Sequence, residues 1–256
     1  MRSFLAFLKK EAVELYRSGR AILLLILFVA LGIMNPAVAK LTPWMLQMFA
    51  DSMAESGMTV TAVEVNALTS WTQFFKNIPI ALIVVIFMYA GTLAQEASSG
   101  RLIPLLTKGL SRRKVVLAKL TVVLFIWTVG YFMTYFITYL YNAYFWDNSI
   151  ATGLLPAVIH WWLFGLFAIC VMLLFSALAK SYVGVLLSTG ATVLVSYLLG
   201  MIPKLKCAVP SSLMNSASLL TGIQDSLDYA AAIWITVVLS LFSIASAVIV
   251  FDKRQL

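Results

Sequence analysis

Six stretches of 19 or more residues contain no Asp, Glu, Lys or Arg, and this constrains the fold more than any other feature. They run over 21–39, 77–95, 120–146, 148–179, 181–203 and 229–251, with lengths of 19, 19, 27, 32, 23 and 23 residues. A helix needs about 20 apolar residues to cross the hydrocarbon core of a bilayer. Each run is therefore long enough for one span, and none for two spans and a turn. The short segments of alternating polarity that mark a membrane β-barrel are absent. Charged residues make up only 11% of the 256, against roughly a quarter in soluble domains, so a water-soluble globular protein is excluded. The sequence predicts an all-α integral membrane protein with six transmembrane helices, at about 21–39, 77–95, 119–145, 154–178, 182–202 and 230–251.

Basic residues predict the orientation, because Lys and Arg collect on cytoplasmic loops. With the N-terminus inside, 14 of the 18 lie on cytoplasmic segments. Only Lys40, Lys76, Lys204 and Lys206 fall outside. Both termini are expected in the cytoplasm, in a plasma-membrane protein. The formal charge of +8 then reflects topology and does not call for nucleic acid. Ala37-Val38-Ala39 resembles a signal-peptide cleavage site, but the 20 residues before the apolar run contain Glu11 and Glu14. Retention of the first span is expected.

The connecting segments carry more information than reversal of the chain requires. Residues 2–19 form an amphipathic pattern at 100° per residue, with Phe4, Leu5, Phe7, Leu8, Ala12, Leu15 and Tyr16 on one side. Arg2, Lys9, Lys10, Glu14 and Arg17 lie on the other. Such a helix lies in the headgroup plane. Glu11 falls on the apolar side, so it is the residue that needs a protein partner. The segment 96–114 holds an apolar cluster, Leu102, Ile103, Leu105 and Leu106, between Glu96 and the basic run Arg112-Arg113-Lys114. An apolar patch at that face calls for lipid or a docking protein, and Ser111 is placed to cap the next helix. On the other side, 40–76 and 203–229 are long extracellular segments. Pro43 is positioned to open a short helix carrying Trp44, Met45, Met48 and Phe49. Ser56-Gly57 would end it, and Thr61 to Glu64 forms a capping box for a second.

Within the spans, the absence of charge excludes most gradient-driven mechanisms, since ion-coupled transporters place ionisable groups at membrane depth. His160 is the one titratable candidate, and beside Trp161-Trp162 it reads as part of an interfacial aromatic belt. An intramembrane enzyme would need a polar constellation that the sequence lacks. Gly184, Ser188, Thr192, Ser196 and Gly200 recur every four residues in the fifth span, a small-residue stripe suited to close helix approach. It reads equally as packing within the chain or as a dimer seam and cargo pathway. In the third span, Gly130, Thr134 and Thr138 and the parallel row Tyr131, Tyr135 and Tyr139 read as structural packing. Cys170, within a span, and Cys207, outside, are not expected to form a disulfide.

Glu96, Gly100, Leu105-Leu106, Ser111-Arg112 and Lys119 resemble the pattern in permeases of type-2 ATP-binding cassette (ABC) exporters. Lys10-Glu11 with Arg17-Ser18 resembles that family's elbow helix. Pro104 departs from the pattern, falling where a continuous coupling helix would run. The resemblance implies that Glu96, Gly100, Arg101, Leu105, Leu106 and Arg112 couple the chain to an ATPase, with Lys10, Glu11 and Arg17 in the elbow. It implies short re-entrant helices between the fifth and sixth spans. It also implies a second permease copy, as a homodimer or with a paralogue, and two ABC ATPase subunits carrying ATP and Mg. The chain has no G-x-x-x-x-G-K-[ST] loop and is expected to bind no cofactor. The expected function is outward movement of an amphipathic or apolar cargo, peptide or drug-like, through a membrane that also supplies lipid contacts. A non-transporting assembly or sensor subunit is the alternative, and an intramembrane enzyme a more remote one.

Overall fold

The computed structural model describes residues 2–48, 65–107, 109–205, 207–223 and 225–254. Among them there is no strand. The helices are α1 (Arg2–Arg17), α2 (Arg20–Met48), α3 (Ala67–Tyr89), α4 (Ala94–Ser98), α5 (Ile103–Thr107), α6 (Arg112–Phe145), α7 (Leu154–Leu178), α8 (Tyr182–Gly200), α9 (Ser216–Leu220) and α10 (Ala230–Lys253). Short 3₁₀ turns lie at Asn148–Ile150, Pro210–Met214 and Ser226–Tyr229. Among the described residues, six helices are long and apolar enough to cross a membrane. Both chain ends lie on one face of the bundle, where Lys114 donates to Ser3 and Arg113 pairs with Asp252 at 2.9 Å.

Helix α1 lies against that terminal face. Its inward stripe is Phe4, Phe7, Leu8, Glu11 and Leu15, spaced so that each falls on one side of a 3.6-residue helix. Phe7 is buried, while Leu5 and Tyr16 on the adjoining arc are exposed. Gly19, at φ +71°, supplies the left-handed turn into α2 that a residue with a Cβ adopts only at a cost.

Helix α2 continues through both Pro36 and Pro43 to Met48. The separate helix expected to open at Pro43 is thus not formed. A proline removes one donor but accepts the helical φ, so a helix already running through Pro36 continues. Phe49, Ser56-Gly57 and the Thr61–Glu64 capping box lie outside the described residues. Pro36 leaves the carbonyl of Gly32 without its amide donor, and Thr138 Oγ1 donates to that oxygen at 3.1 Å. One turn earlier Thr134 Oγ1 donates to the Phe28 carbonyl at 2.9 Å. A Cβ on Gly130 would lie 2.2 Å from the Phe28 ring. The row Gly130, Thr134, Thr138 is therefore the α2–α6 seam, as expected of a structural row.

Helix α7 is the centre of the bundle. The Trp127 ring packs so close to Gly165 that a Cβ there would lie 2.3 Å away, and Trp127 Nε1 donates to the Trp162 carbonyl at 3.2 Å. His160 and Trp161 are buried, not ranged in an interfacial belt. Trp161 Nε1 donates to Met214 and Trp162 Nε1 to Thr128, and the His160 ring lies 5.3 Å from that of Tyr229. The belt reading fails because the segment after α8 folds back over these residues. Ser211 N donates to Ser196 Oγ at 3.1 Å, and Ser196 lies one turn inside the end of α8. The short helices expected between the fifth and sixth spans are present as Pro210–Met214, α9 and Ser226–Tyr229. Cys170 and Cys207 are both free thiols.

Candidate functional site

On the terminal face, the connection from α3 to α6 is built from two short helices and two glycine turns. Helix α3 ends at Tyr89, and the break before α4 is stabilised from another span. Ser176 Oγ, on α7, accepts from Leu93 N at 3.1 Å and Ala94 N at 3.3 Å, and donates to the Ala90 carbonyl at 2.8 Å. Gly100, at φ +68°, separates α4 from α5. The segment is interrupted, as Pro104 implied, with the break at Gly100 and Pro104 itself in the first turn of α5, where a missing amide costs nothing. Helix α6 starts at Arg112 after Ser111, as expected, although the Ser111 side chain makes no capping bond.

Glu96 on α4 and Glu11 on α1 converge on Lys119 of α6. The Nζ of Lys119 donates to Glu96 Oε1 at 2.7 Å and to Glu11 Oε2 at 3.0 Å, and its side chain is 2% exposed. The three residues come from positions 11, 96 and 119, so one cation joins the amphipathic helix, the connecting loop and a span. Glu11 thus meets its partner within its own chain. Lys10 extends the cluster, donating to Glu11 Oε1 at 3.0 Å and pairing with Glu14 at 2.6 Å. The hydrogen bond from Lys10 holds the Glu14 carboxyl below the usual carboxylate range. Burial opposes the charge on Lys10, but its bonds to Glu14 and Glu11 outweigh this and raise its pKa. Arg17, exposed in the last turn of α1, stands apart from the cluster, where it suits the negative end of the helix dipole.

The other expected coupling residues are divided. Gly100 and Arg101 form the turn between α4 and α5. Leu102 is buried, Leu106 half-buried against the core, and Ile103 is exposed with Pro104. The side chain of Leu105 lies outside the described residues. Half of the apolar cluster therefore belongs to the chain's own packing, and among the described side chains Ile103 is the large apolar one it presents. Arg112 is turned to the end of the chain, donating to the carbonyls of Asp252 and Arg254. Arg254 in turn donates to Ala177 and Ala179 at the end of α7, at 2.9 and 3.0 Å. The basic run thus ties helix ends together. Sequence periodicity gave no sign of this, because the partners are about 140 residues apart.

Along the spans, α8 is the least enclosed, with only Val185, Thr189 and Ser196 buried. An apolar groove of about 530 Å³ runs between α3, α7 and α8, lined among others by Ile83, Phe87, Val183, Leu187 and Val193. Of the stripe Gly184, Ser188, Thr192, Ser196 and Gly200, the last two pack within the chain. Ser196 and Gly200 face the chain's own 3₁₀ turn, where a Cβ on Gly200 would meet Ser211 at 2.9 Å. Gly184 N bonds to Ser181, and Thr192 bonds back to Ser188. A neutral polar node at mid-bundle carried no signal in a search for charges: Asn77 Nδ2 donates to Asn35 at 2.9 Å, and Asn35 Nδ2 to Thr138 at 3.2 Å.

The family model of the ABC-2 family transporter proteins matches residues 5–231, a stretch that includes the ion cluster and all but the last span. The chain belongs to the ABC-2 transporter family. No curated protein and no solved structure matches it significantly. As an ABC-2 permease it is a multi-pass membrane protein and the transmembrane component of an ABC transporter. In this permease the loop between the second and third spans is bonded to Lys119 of the third span, which also holds the amphipathic helix.

Proposed function

We propose that this permease is the membrane subunit of an ATP-driven exporter, moving an amphipathic or apolar cargo outward when coupled to two separate ATPase subunits. The reading rests above all on the Lys119 cluster. It makes the loop over 96–114 a rigid attachment, so that force applied to α4 and α5 reaches α6 through Glu96 and α1 through Glu11. The basic residues favour the terminal face as cytoplasmic, which puts this loop where a nucleotide-binding partner would dock, with the exposed Ile103 at the contact. Spans without ionisable residues support an external energy source. A second permease copy completes the conduit, and spans without charge support a cargo of matching polarity.

The test is reconstitution with and without the cognate ATPase. Wild-type complex should show cargo flux only with ATP. Glu96→Gln and Ile103→Glu should each lower flux per ATP hydrolysed at least tenfold, with Ile103→Glu also weakening co-purification of the ATPase. Full coupling in both variants would refute the role of the loop. Cargo-free binding of an outside protein would favour the assembly-subunit alternative.

A further inference from the structure

We propose that the terminal face of this chain holds an anionic glycerophospholipid, its phosphate between Arg20 and Arg101 and an acyl chain in the groove between α3 and α8. A polar cavity of about 80 Å³ lies where α1, α2 and α4 meet, lined by Arg20, Arg101, Thr92, Gln95 and Tyr182 together with Glu14 and Glu96. It adjoins a second, of about 30 Å³, which shares Glu14, Arg20, Thr92 and Glu96 and adds Tyr89 and Lys119. Thr92 and Tyr182 donate to backbone carbonyls and Lys119 to its two carboxylates, but the guanidinium groups of Arg20 and Arg101 are left without an ionic partner among the described residues. The buried hydroxyl of Tyr89 has no hydrogen-bond partner.

The carboxylates that share the walls do not cancel this. Glu14 is bound by Lys10, and Glu96 by Lys119. With Glu11 included, four cations face three carboxylates, which leaves one positive charge. Two guanidinium forks and a hydroxyl recognise a phosphate oxygen well, and basic pockets between spans take lipid headgroups.

The source of the phosphate follows from what adjoins the cavity. Its wall includes Met88 and Tyr182, and the next residues along the same helices, Phe87 and Val183, line the apolar groove. Tyr182 Oη donates to the Phe87 carbonyl at 2.7 Å, joining the two helices where the polar and apolar parts meet. A charged pocket beside an apolar groove matches an amphiphile with one anionic end. Inorganic phosphate would use only the first part.

The test needs only the purified permease, without ATPase or cargo, so it is separate from the transport reading. The chain is exchanged into nanodiscs of phosphatidylglycerol or phosphatidylcholine, and lipid retained after detergent extraction is counted by native mass spectrometry. Wild type should retain phosphatidylglycerol at least tenfold better than phosphatidylcholine. Arg20→Gln/Arg101→Gln should abolish the preference, Arg20→Lys/Arg101→Lys should keep part of it, and Lys9→Gln/Lys253→Gln, with equal charge loss, should keep all of it. Excess inorganic phosphate should not displace the lipid. Equal retention of the two lipids by wild type overturns the proposal, even if the double variant fails to fold. So does an unchanged preference in Arg20→Gln/Arg101→Gln. Full displacement by inorganic phosphate overturns the lipid as the source.

Discussion

Glu11 and Glu96 share one buried cation, so their contributions to stability should be strongly non-additive. Replacing either carboxylate by Gln leaves Lys119 with one charged partner and one neutral oxygen. Each single change should cost about 1–1.5 kcal/mol, the upper part of the range for an ordinary hydrogen bond, because the amide oxygen still accepts from Lys119. Replacing both leaves an ammonium that is 2% exposed with no carboxylate in ion-pair contact. Breaking a buried pair in this way costs about 3–5 kcal/mol. The double variant should therefore exceed the sum of the singles by about 1–2 kcal/mol. Adding Lys119→Met to the double variant removes the uncompensated charge and should restore about 1–4 kcal/mol, as apolar replacement of buried ion pairs does. Equilibrium unfolding in mixed micelles, followed by tryptophan fluorescence, measures all the variants in one background. The reasoning is refuted if the cycle closes additively within about 0.5 kcal/mol, or if the triple variant is no more stable than the double.

Three further outcomes follow from the geometry. Thr138→Val removes the donor that serves the Gly32 carbonyl freed by Pro36 and should cost about 1 kcal/mol, the scale of hydrogen bonds between spans; Thr138→Ser should recover most of it in the same melts. Gly130→Ala places a methyl 2.2 Å from the Phe28 ring and should destabilise by about 1–3 kcal/mol as an overpacked seam, with partial rescue by Phe28→Leu. The folded-state pKa of Glu14 lies below its unfolded value of about 4.3, so its contribution is present at neutral pH and lost as pH falls through the folded value. Acidification below about pH 4 should therefore loosen α1, seen as faster hydrogen exchange in residues 2–17, and Glu14→Gln should remove that acid limb.

Much of this architecture was legible because charge is costly in a bilayer. The six runs without charge marked the spans, and the misfit of Glu11 on an apolar arc announced an inward-facing carboxylate. Its partner Lys119 already stood in the motif with Glu96, but nothing in the spacing joined position 11 to that pair. Neutral polar contacts left no such trace: Asn35 and Asn77 meet across 42 residues, and either could equally have faced a loop. Local rules also misled where tertiary structure dominated. Pro43 reads as a helix start, yet α2 was already helical before it. His160 beside two tryptophans reads as a belt, yet the 3₁₀ turn at Pro210–Met214 and the turn at Ser226–Tyr229 cover that end of α7. Leu106 reads as part of a docking pair, but a five-residue helix turns one side inward wherever it rests on a core.

The hydroxyl of Ser176 has a mechanical consequence. Three backbone groups at the interruption of the second span have no partner in their own helix, and a single side chain of the fourth span supplies all three. In a hydrophobic medium no water stands ready to replace it. The second and fourth spans are in this way pinned at their shared end, and parting them there would strand all three groups at once.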